Sequence, residues 1–187
     1  MMAEVAATLA FSTIANNDKV GVIFFSDKIE KFIPAKKGKT HVLHIIRELL
    51  SFEPTSSGTD VAQALQYFTN AQKRHCTAFL ISDFIGAGTM YKPLLIASNR
   101  HEVNAIQIYD RREAELPNIG LVKFHDAETG NDLWIDTAIA SVRNQYGQAW
   151  RDNQNNIEQL FTRTGVNHVS VRTDQDYVKA LMHLFKC

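Results

Sequence analysis

The sequence predicts an α/β protein built on a doubly wound, mainly parallel sheet with helices on both faces. Three observations carry this reading. Phe79-Leu80-Ile81-Ser82-Asp83-Phe84 is a short apolar run that ends on a carboxylate, the pattern of a strand buried on both faces. Strand-like and helix-like periods alternate as far as Tyr109, the order that right-handed βαβ crossovers generate. The length, 187 residues, with 45% hydrophobic content, suits one domain with a real core, so residues 1–187 are read as a single domain.

Each element has a local reason. From Ala3 to Ala15, Val5, Ala6, Leu9, Ala10 and Ile14 form one helical stripe, closed by Asn16-Asn17-Asp18. Lys19 to Phe25 is a buried strand, and Ser26-Asp27-Lys28 turns the chain into a wetter one, Ile29 to Ile33, the two forming a hairpin at the sheet edge. Residues 34–39 read as a loop. Thr40 is then expected to cap a helix carrying Val42, Ile45, Ile46, Leu49 and Leu50. A second helix is expected from Thr59 or Asp60 to about Lys73, with Val61, Leu65 and Phe68 inward and Asp60 spaced from Gln63 as in a capping box. Cys76 to Asp83 is the central strand, followed by a loop loosened by Gly86-Ala87-Gly88, a helix from Tyr91 to Ser98 and a strand from Val103 to Tyr109.

Past Pro117 the pattern changes. Gly120 to His125 and Asp132 to Asp136, joined by the turn Asp126–Asn131, read as an antiparallel hairpin inserted near 120–136. A long helix follows from about Ala138 to Arg163, with Gly165 as its stop. Val166 to Val171 is a last strand, and Thr173-Asp174 is expected to cap a terminal helix.

Charge and composition exclude several function classes. Twenty basic residues balance 20 acidic ones, so no overall field draws the chain to nucleic acid or an anionic membrane. No apolar run reaches the roughly 20 residues a bilayer crossing needs, and the N-terminus has no signal-peptide pattern. Two cysteines, Cys76 and Cys187, make no disulfide framework, and a reducing cytoplasmic setting is expected.

Most motif fragments fail on spacing. Gly38-Lys39-Thr40 ends like a phosphate loop, but the glycine required five positions earlier is Ile33. Gly86-Ala87-Gly88 lacks the third glycine of a dinucleotide fingerprint, Tyr91 standing in its place. His41 and His44 share a helix face without a clear third ligand and are expected to be exposed or half-buried. The turn from Asp126 to Asp132 lacks calcium-loop spacing and reads as a turn. Thr59 and Asp83 differ from these because Asp83 ends a strand and Thr59 opens a helix at the same crevice, where open α/β sheets bind ligands. Against them stands the ordinary reading of a helix cap and a loop cap.

The order of helix, strand Val20 to Phe25, Ser57-Gly58-Thr59-Asp60 and Phe79 to Phe84 resembles a von Willebrand factor A-type domain. Leu9-Ala10-Phe11-Ser12, Asn17-Asp18-Lys19-Val20-Gly21, Phe25-Ser26-Asp27 and Asp126-Ala127-Glu128-Thr129-Gly130 narrow it: the chain resembles the bacterial family called domain of unknown function 58. The resemblance implies a Rossmann-like sheet and a metal-ion-dependent adhesion site for Mg²⁺ or Mn²⁺. Three segments would build that site: an Asp-x-Ser-x-Ser run, a threonine and an aspartate. By motif Thr59 and Asp83 are the last two. It further implies a non-catalytic adaptor working beside a MoxR-type AAA ATPase in assembly or maturation of other complexes.

No Asp-x-Ser-x-Ser occurs in the sequence, which begins at the helix that follows that motif in the family. The expectations are therefore an N-terminally truncated or shortened member, an incomplete site of Thr59 and Asp83, and weak or absent metal binding. A gap in the sheet between the Val20 and Phe79 strands is also expected, closed by their direct pairing or by a strand from another copy in a homo-oligomer. The rival class is an α/β hydrolase-type enzyme using Asp83, with Ser82, Asp27 and Asp110 as the polar strand-end residues on offer. Ser82 is expected to point away from Asp83, since neighbouring strand residues face opposite ways.

Overall fold

The computed structural model describes residues 1–56, 58–85, 90–125 and 132–185. The Gly86-Ala87-Gly88 loop, the Asp126–Asn131 turn, Ser57 and Cys187 lie outside them. The elements run α1 (Met2–Ala15), β1 (Val20–Phe25), β2 (Ile29–Lys36), α2 (Lys39–Ser51), α3 (Val61–Ala71), β3 (Thr77–Ser82) and α4 (Tyr91–Arg100). They continue β4 (Glu102–Tyr109), α5 (Arg111–Ala114), β5 (Leu121–His125), β6 (Asp132–Asp136), α6 (Ala140–Thr164), β7 (Asn167–Arg172) and α7 (Tyr177–Leu184).

Among the described residues the strands do not form one sheet. β3, β4 and β7 make a three-stranded parallel sheet in that order, whereas β1–β2 and β5–β6 are separate antiparallel hairpins. The expected single, mainly parallel sheet is thus corrected, because no ladder joins β1 to β3. The expected centre moves as well: β4 lies between two strands and has six consecutive buried residues, whereas β3 is an edge of its sheet. The hairpins at 20–36 and 121–136 are as expected.

Helices cover both faces of the parallel sheet, since alternate strand residues turn to opposite sides. On one face Leu80, Val103 and Ala105 pack with Val61 and Leu65 of α3, Leu94 and Ala97 of α4, and Ile157 and Phe161 of α6. On the other, Phe79, Ile81, Ile106 and Ile108 meet Val5 and Leu9 of α1 and Leu181 and Leu184 of α7. The first hairpin carries its own cluster, Phe24 and Ile33 against Ile45 of α2. It also sends Phe25 into the α3–α4–α6 cluster.

Local chemistry fixes the boundaries. Asp60 caps α3, its carboxylate accepting from the Gln63 N–H at 2.8 Å. α2 begins instead at Gly38 with no side-chain cap, so Thr40 lies inside the helix. β2 continues to Lys36, through the stretch expected to be loop, because it stays paired with Val20. α7 is capped by Asp176, which accepts from the Val178 N–H, in place of Thr173-Asp174. Gly165 ends α6 at φ +67°, the left-handed conformation glycine adopts without a Cβ penalty. Gly21 is required for a different reason: a Cβ there would lie 2.7 Å from the Ile33 carbonyl oxygen.

Phe161 sits at the junction of α6 with the sheet, 1% exposed, its ring meeting that of Phe84 edge-on at 5.2 Å. Phe161→Ala is expected to lower unfolding free energy by about 3–5 kcal/mol. Leu50→Ala, at a site 73% exposed, is expected to change it by less than about 0.5 kcal/mol. Chemical denaturation of the two variants checks both.

Candidate functional site

The candidate site lies at the carboxyl ends of β1, β3 and β4. On the β3 side the strand stops at Ser82, and the next two residues leave strand geometry, Phe84 having φ +57° although it is fully buried. A bulky residue in that region is strained by on the order of 1–3 kcal/mol, and packing of its ring holds it there. The Asp83 carboxylate accepts from the Ile85 N–H at 3.2 Å, and its carbonyl accepts from Gln107 Nε2 at 3.0 Å. Gln107 is itself held by Ser170 Oγ, which donates to its Oε1 at 2.9 Å. A polar relay from exposed Ser170 of β7 through buried Gln107 of β4 therefore fixes the backbone at Asp83.

Ser82 departs from expectation. Its Oγ accepts from the Phe84 N–H at 3.1 Å and reaches the Asp83 carboxylate at 3.4 Å. The alternation that should separate them lapses because the strand ends between them. With 5% exposure and its hydroxyl engaged in the turn, Ser82 is a poor nucleophile.

Beside Asp83 stands an acidic pair of which the residue pattern singled out Asp110 but not Glu113. Asp110 caps the four-residue α5 in a reciprocal box with Glu113, accepting from the Arg112 N–H at 2.9 Å and from Thr173 Oγ1 at 2.8 Å. Those bonds hold its carboxyl below the usual range. Glu113 is shifted upward, first by burial and then by the charges of Asp83 and Asp110, against a bond from the Asp110 N–H. The spacing Asp110 to Glu113 is a capping-box signature and could have revealed this pair. α5 itself is too short to show a period.

On the β1 side, the Asp60 N–H donates to the Ser26 carbonyl at 2.8 Å, tying the start of α3 to the end of β1. Asp27 packs against Gly58, where an added Cβ would meet the Asp27 Cβ at 3.3 Å. Buried Ser26 donates to Glu30 at 2.7 Å, and Glu30 also receives the Thr55 N–H at 3.0 Å. Glu30 was read only as part of a wet strand. Its role is to anchor the loop before α3.

Thr59 is exposed and makes no hydrogen bond to the described residues, the cap of α3 being Asp60. No hydrogen bond links Thr59 to Asp83. Among the described residues no three His, Cys, Asp or Glu side chains form a metal-binding group. Mg²⁺ asks for near-octahedral oxygen coordination. One hydroxyl, with one carboxylate that is already bonded to a backbone N–H, does not by itself fit that ion. His41 is half-buried, its ring nitrogen 2.9 Å from the Val20 carbonyl, and His44 is exposed beside Glu48, as expected of that pair.

Comparison with known proteins adds family and fold. A family model described as "Protein of unknown function DUF58" matches residues 1–156. The uncharacterized protein Mb1516 of Mycobacterium bovis is 28% identical over 177 residues, covering 92% of this chain and 55% of its own length. The uncharacterized protein MAV169 of Mycobacterium avium is 30% identical over 158 residues, covering 82% of this chain and 92% of its own. This chain thus spans about half the length of the first of these relatives. Two crystal structures share the fold: the conserved hypothetical protein BatB from Bacteroides thetaiotaomicron, with a TM-score of 0.54 at 16% identity, and an aerotolerance-related membrane protein from Bacteroides fragilis, at 0.55 and 17%. Each alignment covers 99% of this chain and 89% of the other. No helix among the described residues is long and apolar enough to cross a membrane.

Glu30 yields a pH prediction. Bonds from Ser26 and then Thr55 depress its folded-state pKa below the ordinary value of 4.5. The stability this contributes is present above the unfolded pKa and is lost as pH falls through the folded one. Stability is therefore expected to decline as pH drops below about 4.5, and Glu30→Ala should flatten part of that decline. Denaturation midpoints at pH 3, 4, 5 and 7 measure it.

Proposed function

The chain belongs to the DUF58 family, and from that premise we propose that it is a non-catalytic protein-interaction module of von Willebrand factor A-like, Rossmann-like fold. In this reading it is an adaptor with an incomplete metal-ion-dependent adhesion site at Thr59 and Asp83, working in the cytoplasm with a MoxR-type AAA ATPase in complex assembly or maturation. The observation that carries the reading is the state of Thr59. Asp60 has taken the capping role, which leaves the exposed Thr59 hydroxyl without a hydrogen-bond partner among the described residues, just before α3. The family membership and the fold likeness support the mixed α/β part of this reading. The chain's own contribution is positional: the loop that Asp60 ties to Ser26 before α3 presents Thr59, and the Gln107 relay holds the Asp83 turn. A Mg²⁺ or Mn²⁺ ion, where bound, would supply a Lewis-acidic centre for a partner's carboxylate.

Calorimetric titration with Mg²⁺ and Mn²⁺ tests this. Weak or no binding is expected for the chain, unchanged by Thr59→Ala or Asp83→Ala. Tight binding abolished by either substitution would show the site to be complete. A purified MoxR-type ATPase is expected to co-sediment with the chain in the presence of ATP.

One observation favours a second reading, an α/β hydrolase-type enzyme using Asp83. Glu113, its carboxyl raised by burial and by Asp83, is the kind of perturbed group that catalytic acids display. It lacks a grouped nucleophile, since the Ser82 hydroxyl is buried in its turn. Turnover of generic phosphate or acyl esters, lost in Asp83→Asn, would establish this reading, and its absence is expected.

A further inference from the structure

We propose that the cavity at the amino ends of β3 and β4, lined by Gln72, Lys73, Arg100 and His101, binds a phosphate group, carried as free phosphate or as the head of a small phosphomonoester. It lies at the end of the parallel sheet opposite to Asp83, so the inference goes beyond the adhesion-site reading and does not depend on it.

Two helix-to-strand connections build the site. α3 ends at Ala71 and Gln72 to Cys76 leads into β3, while α4 ends at Arg100 and His101 leads directly into β4. The two strands are parallel and pair from Thr77 and Glu102 onward, and the Glu102 N–H donates to the Cys76 carbonyl at 3.0 Å. The connections are therefore held side by side, and they line a cavity of about 300 Å³. Gln72 is fixed there by its side-chain amide, which donates to the Arg74 carbonyl at 2.8 Å.

The observation that points to a ligand is His101. It is 3% exposed, with the Phe68 ring 4.6 Å from its own, and its Nε2 is buried without a hydrogen-bond partner among the described residues. Nδ1 lies 3.7 Å from the Cys76 sulfur. Burial pushes the Cys76 thiol up, so it keeps its proton and donates to Nδ1. Burial, and then the charges of His75 and Arg100, push the imidazole down, so the ring is neutral and carries its one proton on Nε2. A buried N–H without an acceptor is costly, and an acceptor in the cavity removes that cost.

The charge around the cavity selects the class of acceptor. Neither Lys73 nor Arg100 has an ion pair among the described residues, and the neighbouring carboxylate, Glu102, is taken by Thr77 Oγ1 at 2.9 Å. The ends of α3 and α4 offset part of this charge, but each supplies only about half a negative unit against two full positive ones. A single water would satisfy Nε2 and leave both cations unanswered, and the cavity has the volume of about ten waters at roughly 30 Å³ each. A carboxylate brings two oxygens and one charge. A phosphate brings more oxygens and a second charge, enough for an ammonium, a guanidinium fork and an imidazole N–H together.

Arg100 also lines a second cavity, of about 270 Å³, with Gln66 and Asn70 of α3 and Pro93 and Ile96 of α4. The amides of Gln66 and Asn70 are exposed and have no hydrogen-bond partner among the described residues. Such a lane suits the hydroxyl groups of a small alcohol esterified to the phosphate.

Calorimetric titration of the intact chain, without divalent metal, tests the proposal with inorganic phosphate, glycerol phosphate, glycerol and acetate at matched ionic strength. Saturable binding at millimolar concentration is expected for the two phosphate compounds and for neither control. Arg100→Gln and Lys73→Gln, both at exposed positions, are expected to weaken it about tenfold or more while unfolding at the parent's denaturant midpoint. The ring-nitrogen resonances of His101 are expected to move with the same midpoint as the heat. Tighter binding of glycerol phosphate than of phosphate, lost in Asn70→Ala, identifies the ester as the ligand, and phosphate binding at least as tight identifies the free ion. No saturable binding of either, binding unchanged in both charge variants, equal binding of acetate, or a His101 ring indifferent to bound phosphate overturns the proposal.

Discussion

The structure depends on apolar packing by helices across a break in backbone hydrogen bonding. Ladders hold β3, β4 and β7 together and hold β1 to β2, but none runs between the two groups. α3 bridges them on one side through Val61, Leu65, Phe25 and Leu80, and α1 with α2 bridges them on the other. Apolar burial is non-directional and tolerates a missing ladder that hydrogen bonding would not. One directed bond adds register to this packing, from the Asp60 N–H to the Ser26 carbonyl. Everything at the strand ends takes its position from that arrangement.

Much of the fold was legible because it is local. The helical stripe of α1, the strands at Val20, Phe79 and Val103, the hairpin at 121–136 and the Gly165 stop all follow from periods or single-residue conformations. What was not legible is non-local. The gap between the Val20 and Phe79 strands was expected from the family resemblance, not from the residues of β1 or β3, and its expected closure by direct pairing is not seen: among the described residues there are three separate sheets. Caps failed in a related way. Thr40 and Asp174 are suitable residue types two positions away from where the chain turns, and Gly38 and Asp176 occupy the turning positions.

The site divides similarly. Asp83 and Asp60 could be placed from sequence because a strand end and a helix start are local features. Their roles could not, since Asp60 takes the cap that Thr59 might have served and thereby exposes the threonine. Glu113 was missed because its perturbation comes from burial and from the carboxylates of Asp83, 30 residues away, and Asp110, three away. Glu30 was missed because it lies on an edge strand most of whose residues are exposed, and its partners Ser26 and Thr55 lie in the turn and the loop flanking it.

The two halves of the candidate site stand on different bodies of hydrogen bonding. Asp83 is fixed from the β4 and β7 side through Gln107 and Ser170. Thr59 and Asp27 are fixed from the β1 side through Ser26 and Gly58. No ladder among the described residues joins the two halves. Their separation is set by the packing of α3 on Phe25 of β1 and Leu80 of β3, together with the Asp60 N–H to Ser26 carbonyl bond, and apolar packing of this kind is non-directional where a ladder is directed.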